Sequence, residues 1–124
     1  MRLEKMRVYQ AAEQLVGEVD LLLPRARQKK PNAAKHLENS VESVFYNTGE
    51  GIGSFKPKVK ISAYEIVRKE ANEVRTVLRR LVIGRVFKQV EITRAYNLAG
   101  AVVGMLTNAI IALEARADDV HKEK

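Results

Sequence analysis

The chain has no cysteine, three prolines and two histidines, and no charged residue between Arg94 and Glu114. The absence of cysteine excludes disulfides, thiolate metal sites and a cysteine nucleophile. The two histidines leave little for metal chemistry. A carboxylate-bridged metal pair in a helical bundle needs two Glu-x-x-His pairs, and only Asp118 and His121 approach that spacing, while His36, beside Lys35, reads as a solvated residue near a helix start. No strand or hairpin pattern, Ser/His/Asp arrangement or dinucleotide signature is present. Gly49-Glu50-Gly51-Ile52-Gly53 has the glycine density of a phosphate loop, but no strand precedes it and no Gly-Lys-Ser or Gly-Lys-Thr follows, so helix-end glycine is the better account. No catalytic residue, metal or cofactor is expected.

The missing charge is informative in its own right. Nineteen residues, 95–113, carry none, while the other 105 carry all 37 Asp, Glu, Lys and Arg side chains. At 100° per residue Ala95, Leu98, Ala99, Val102, Leu106, Ala109 and Leu113 form an apolar face, with Gly100, Gly104, Thr107, Asn108 and Ile111 opposite. The first face suits a bundle core. The second, made of small or neutral residues, is expected to be an oligomer interface against another helix or another subunit. A membrane span has this length, but Tyr96, Asn97, Thr107, Asn108 and two glycines dilute the run, and the neighbouring segments are too charged to accompany it into lipid. Met1 to Asp20 alternates charge with apolar residues and has no signal-peptide core, so a cytoplasmic protein without membrane association is expected.

What is present is helical throughout. Residues 2–23 place Val8, Tyr9, Ala12, Leu15, Val16, Val19, Leu22 and Leu23 on one stripe, and Pro24 is expected to stop that helix. Pro24 to Pro31 then reads as a basic loop holding Arg25, Arg27, Lys29 and Lys30 without an acid. A second helix over about 32–53 buries Leu37, Val41, Val44, Phe45, Thr48 and Ile52, weakened by its glycines by about 1 kcal/mol each relative to alanine. For the third, Ser62 to Glu65 reads as a capping box, but Pro57 at the first helical position is the favoured start and Gly84 the stop. The fourth covers about 90–116. The expectation is all-α: one domain, 1–116, forming an antiparallel up-down-up-down four-helix bundle, and a polar tail, 117–124.

The end of the second helix departs from what a fold alone requires. Asn39, Ser43, Tyr46 and Glu50 lie opposite the stripe centred on Val41, with Asn47 nearby. A solvated surface explains such a face. Yet Glu50 sits near a helix C-terminus, where the macrodipole disfavours an anion, so a cationic partner across a helix or subunit contact is the other account. Asn47-Thr48-Gly49-Glu50-Gly51 resembles the Asn-Ile-Ala-Glu-Gly motif of the bacterial four-helix-bundle proteins described as products of intervening sequences in 23S ribosomal RNA genes. Pro57 and Glu73 fall at matching offsets, and Val8-Tyr9-Gln10-Ala11-Ala12 is similar too. The resemblance covers roughly residues 5–115. It implies an antiparallel bundle assembling into a ring of five, and it marks Asn47, Gly49, Glu50, Gly51 and Glu73 as motif or interface positions. The related accessory variability proteins of diversity-generating retroelements are basic barrels that bind nucleic acid and a reverse transcriptase. Lys69 and Glu70 stand where the family often has Gly-Ser.

Charge supplies the functional expectation. Twenty-two Lys and Arg against 15 Asp and Glu give a formal net charge of +7, which fits an anionic partner or serves solubility alone. Candidate phosphate contacts are Arg25, Arg27, Lys29 and Lys30, Lys56, Lys58 and Lys60, and the stripe Arg68, Arg75 and Arg79, whose other account is pairing with Glu within or between subunits. The expected function is non-enzymatic: an oligomer, as a pentamer by resemblance, that binds RNA or DNA weakly and without sequence choice. The alternative is a scaffold for an acidic protein or a polymerase.

Overall fold

The computed structural model describes the backbone of residues 3–122 and the side chains of residues 6–118. Four helices account for nearly all of it: α1 Leu3–Lys29, α2 Pro31–Gly53, α3 Pro57–Ile83 and α4 Gln89–Lys122. No strand occurs among the described residues. Contacts run α1 to α2, α2 to α3, α3 to α4 and α4 back to α1, so each helix lies between two others around a shared core. That core is mainly aliphatic. Leu15 and Val19 of α1, Leu37 and Val41 of α2, Leu78 and Leu81 of α3, and Ile92 and Leu106 of α4 are among its fully buried side chains.

Pro24 does not end the first helix. It lies inside α1, which continues to Lys29. A proline here deprives the carbonyl four residues back of its donor, at a cost of about 3 kcal/mol in a helix interior. Packing outweighs this: Leu22, Leu23 and Ala26 extend the buried stripe past the proline. The expected basic loop is therefore the last turns of α1, joined to α2 through Lys30 alone.

Pro57 is the first residue of α3, and Lys56 before it contributes no side-chain cap. At the other end Gly84 has φ −78° and its N–H donates to Arg80 O at 2.9 Å, while the N–H of Arg85 donates to Val82 O at 3.0 Å. The left-handed residue is Arg85, at φ 62°. The turn it allows lets Val86 N–H donate to Leu81 O at 2.9 Å, directing Val86 and Phe87 into the core.

In α4 the expected apolar face is the inner one: Ala95, Ala99, Val102, Leu106 and Leu113 are buried, with Leu98 and Ala109 partly so. By length and composition alone, Gln89–Asp118 is apolar enough to cross a bilayer. The helix runs on to Lys122 rather than stopping at 116, because no glycine or proline interrupts it there. The side chain of His121, and with it the Asp118–His121 pair, lies outside the described residues.

Candidate nucleic-acid interface

The motif at the end of α2 is built around Gly51 and two residues of α3. A Cβ at Gly51 would lie well inside contact distance of Tyr64 Cε1 and 2.6 Å from Cδ1, so the ring occupies the space that any larger residue would need. Tyr64 is buried, and that burial raises its hydroxyl above the ordinary pKa. Lys60, one turn earlier, is only 5% exposed; its ammonium donates to Gly51 O at 2.7 Å and Ile52 O at 3.2 Å. These are terminal helix carbonyls, which have no intrahelical donor. Lys60 is thus part of the α2–α3 joint, and the expectation that it contacts phosphate is corrected.

The remaining motif residues divide by face. Thr48 is buried and its hydroxyl donates to Val44 O at 2.7 Å. Asn47 Nδ2 donates to Ser43 O at 3.0 Å and to Ser43 Oγ at 3.1 Å. Gly49, Glu50, Tyr46 and Asn39 are exposed. Glu50 has no ion pair among the described residues, so the cationic partner expected for it does not come from within this part of the chain. Glu73 lies 3.2 Å from His36 Nε2, an ion pair whenever the imidazole is protonated.

The cations expected between Pro24 and Pro31 have separate roles. Arg25 bridges to α4: it pairs with Glu91 at 2.8 Å, donates to Val86 O at 3.3 Å and lies 4.9 Å from the centroid of the Phe87 ring. Arg27 pairs with Glu38 of α2. Both side chains are exposed and each is paired with a carboxylate of another helix. Lys29 and Lys30 are exposed. The arginine stripe of α3 is also divided. Arg75 is half-buried over the ring of Tyr96, 4.2 Å from its centroid, and packs against Gly100, with its Nε buried and lacking a hydrogen bond. Arg79 Nη1 donates to Gln89 Oε1 at 2.7 Å, and Arg68 is half-buried on the outer face. Arg75 is thus packed against α4 rather than free on a surface. Lys56 and Lys58 are exposed beside the start of α3.

The structure brings together two segments that are distant in sequence. A Cβ at Gly84 would lie 2.8 Å from Arg80 Nη1 and 3.4 Å from Lys30 Cε, so the α1–α2 and α3–α4 connections meet there. Lys29 and Lys30 on the one connection, and Arg79, Arg80, Arg85 and Lys88 on or beside the other, are exposed basic side chains. The nearby carboxylates Glu38 and Glu91 are already paired with Arg27 and Arg25. Glu91 also accepts a hydrogen bond from the Lys88 backbone at 3.0 Å; this bond first, and Arg25 second, hold its carboxyl below the ordinary pKa. Arg80, Arg85 and Lys88 were missed in the sequence, although residues 79–90 contain four cations and no acid.

The outer face of α4 also differs in detail from expectation. Gly104, Asn108 and Ile111 are exposed together, but Gly100 is covered by Arg75, and the hydroxyl of half-buried Thr107 donates to Val103 O. Asn97, Ala101 and Ala115, also exposed, extend the uncharged strip. Spacings of four and three alternate from Asn97 through Ala101, Gly104, Asn108 and Ile111 to Ala115, the period of a left-handed helix–helix seam.

Comparison with curated proteins and with solved structures finds no match to this chain. Residues 4–108 match the family described as 23S rRNA-intervening sequence protein. That match spans the Asn47–Gly51 motif, the Gly51–Tyr64 joint and most of all four helices, and the chain belongs to the 23S rRNA-intervening sequence protein family.

Proposed function

We propose that the protein is a non-enzymatic, cytoplasmic oligomer that binds the backbone of RNA or DNA with little sequence choice. The observation that carries this reading is the convergence of Lys30 and Arg80 on Gly84, with Lys29, Arg79, Arg85 and Lys88 exposed on or beside the same two connections. Like charges held together raise the local potential and attract a polyanion. Glu38 and Glu91 are paired with Arg27 and Arg25, which lie outside this group of cations.

Assembly strengthens the proposal. The helices alternate up and down in this reading, and the outer strip of α4 packs on a neighbouring subunit. Gly104, with open space around it, permits close helix approach there. A head-to-tail contact of this kind closes into a ring when its rotation allows, and family likeness favours five subunits. Repetition around a ring would multiply these basic residues.

Binding of fluorescent duplex DNA and of single-stranded RNA, titrated with salt, tests the function. Log affinity for duplex should fall linearly with log salt, by about 0.9 per phosphate neutralised. Joint replacement of Lys29, Lys30, Arg85 and Lys88 by Gln should weaken binding to all sequences and flatten the slope, with helicity unchanged. Failure to bind either nucleic acid at low salt would overturn the proposal in favour of a scaffold for an acidic protein or polymerase.

A further inference from the structure

A half-open groove of about 630 Å³ lies where the start of α1, the α2–α3 connection and the last turns of α4 meet. This is within the size range of small-molecule sites. Its wall is apolar over Val8, Ile52, Met105 and Leu113, Ser54, Tyr64 and Asn108 add polar atoms to it, and Phe55 stands at its edge 97% exposed. Among the described lining residues there is no carboxylate. Two arginines, Arg7 and Arg116, come to the same groove from α1 and α4. Both are exposed, and neither has an ion pair among the described residues. Lys60 also contributes to the wall but is engaged by the carbonyls that end α2.

An apolar wall beside two arginines selects a ligand with two parts. Water competes well for an isolated small anion and has little affinity for a hydrocarbon; a molecule joining both gains from the wall and from charge-assisted hydrogen bonds together. We propose that this groove binds small amphiphilic organic acids, with an aromatic or medium-chain alkyl body against Val8, Ile52, Phe55, Met105 and Leu113 and a carboxylate received by Arg7 and Arg116. The site is distinct from the basic residues at Gly84 but shares Asn108 with the outer strip of α4, so it borders the proposed subunit contact.

Titration of the full chain with decanoate, followed by calorimetry and by displacement of anilinonaphthalene sulfonate, tests this. Decanoate should bind and displace the dye, while decanol and butyrate should do so poorly, one lacking the charge and the other the body. Joint replacement Arg7→Gln and Arg116→Gln should weaken decanoate by about tenfold or more. Ala112→Trp, at an exposed lining position, should block the groove. Replacement of Lys29, Lys30, Arg85 and Lys88 by Gln should leave decanoate affinity unchanged. Absence of decanoate binding, equal displacement by decanol, or binding insensitive to the Arg7/Arg116 replacement in a variant of unchanged helicity would overturn the assignment.

Discussion

The ring of Tyr64 occupies the place where a side chain at Gly51 would begin. Gly49, two residues earlier in the same helix, has nothing within 4 Å of the corresponding point. Alanine at these positions should therefore act in opposite directions. Gly49→Ala should stabilise by about 0.5–1 kcal/mol through helix propensity. Gly51→Ala should destabilise by about 1–3 kcal/mol because a buried aromatic must move. Thermal melts of the two variants would check the contrast; equal effects would mean that the close approach does not constrain the helix.

Lys60 should behave as a core residue despite its charge. Lys60→Gln removes donors from the carbonyls that end α2, and the expected loss is about 1–3 kcal/mol of stability. Affinity of the folded variant for duplex DNA should match the parent. A substantially flatter salt dependence with an unchanged melt would return Lys60 to the phosphate-binding set.

Arg85 should show the reverse balance. A non-glycine residue at positive φ costs roughly 1–2 kcal/mol, which glycine avoids. Arg85→Gly should stabilise the protein by about 1 kcal/mol while lowering nucleic-acid affinity, a trade between folding and charge at one position. Denaturant midpoints and salt titrations on the same preparation measure both sides.

Acid should weaken the joint between α1 and α4. The Lys88 backbone and Arg25 hold the Glu91 carboxyl below its ordinary value of 4.5. For a carboxylate depressed in the folded state, the stabilising contribution is present above the unfolded pKa and is lost as pH falls through the folded one. The parent should therefore lose stability over that acidic window. Glu91→Gln should have a flatter acid limb there, which melting at stepped pH would resolve.

The outer strip of α4 makes assembly testable apart from folding. Light scattering at micromolar concentration should give a multiple of the 14.0 kDa chain mass, with five the expected number. Gly104→Leu should reduce that mass while far-UV dichroism is retained, because the position has open space within the chain. A parent that is solely monomeric would remove the ring from the proposal.

Helix content and core faces were legible because burial repeats along each segment: Val41 and Val44, or Val74 and Leu78, can be assigned to the interior from spacing alone. Pro24 was misread because local propensity carries no information about Leu22, Leu23 and Ala26 closing over a core beyond it. The cations were the least legible. Lys58 and Lys60 are identical in type and two residues apart, yet a helical step of 200° puts one outside and the other under the end of α2. Arg25 and Arg27 have acceptors, Glu91 and Glu38, that only tertiary structure identifies. The approach of Lys30 and Arg80 at Gly84 required two connections to meet, a relationship absent from either stretch alone.

The one-residue connection at Lys30 has a kinetic consequence. Three of the four helix contacts join consecutive helices, so most of the core forms without closing a long loop. The α1–α4 contact instead joins the first helix to the last, with Arg25–Glu91 and Glu18–Arg94 across it. Because distant contacts require more chain to be ordered before they form, α1 and α2 should pair early and the α1–α4 seam should close last. The same seam should be the first to open under denaturant, making the first and last helices a late-forming clasp.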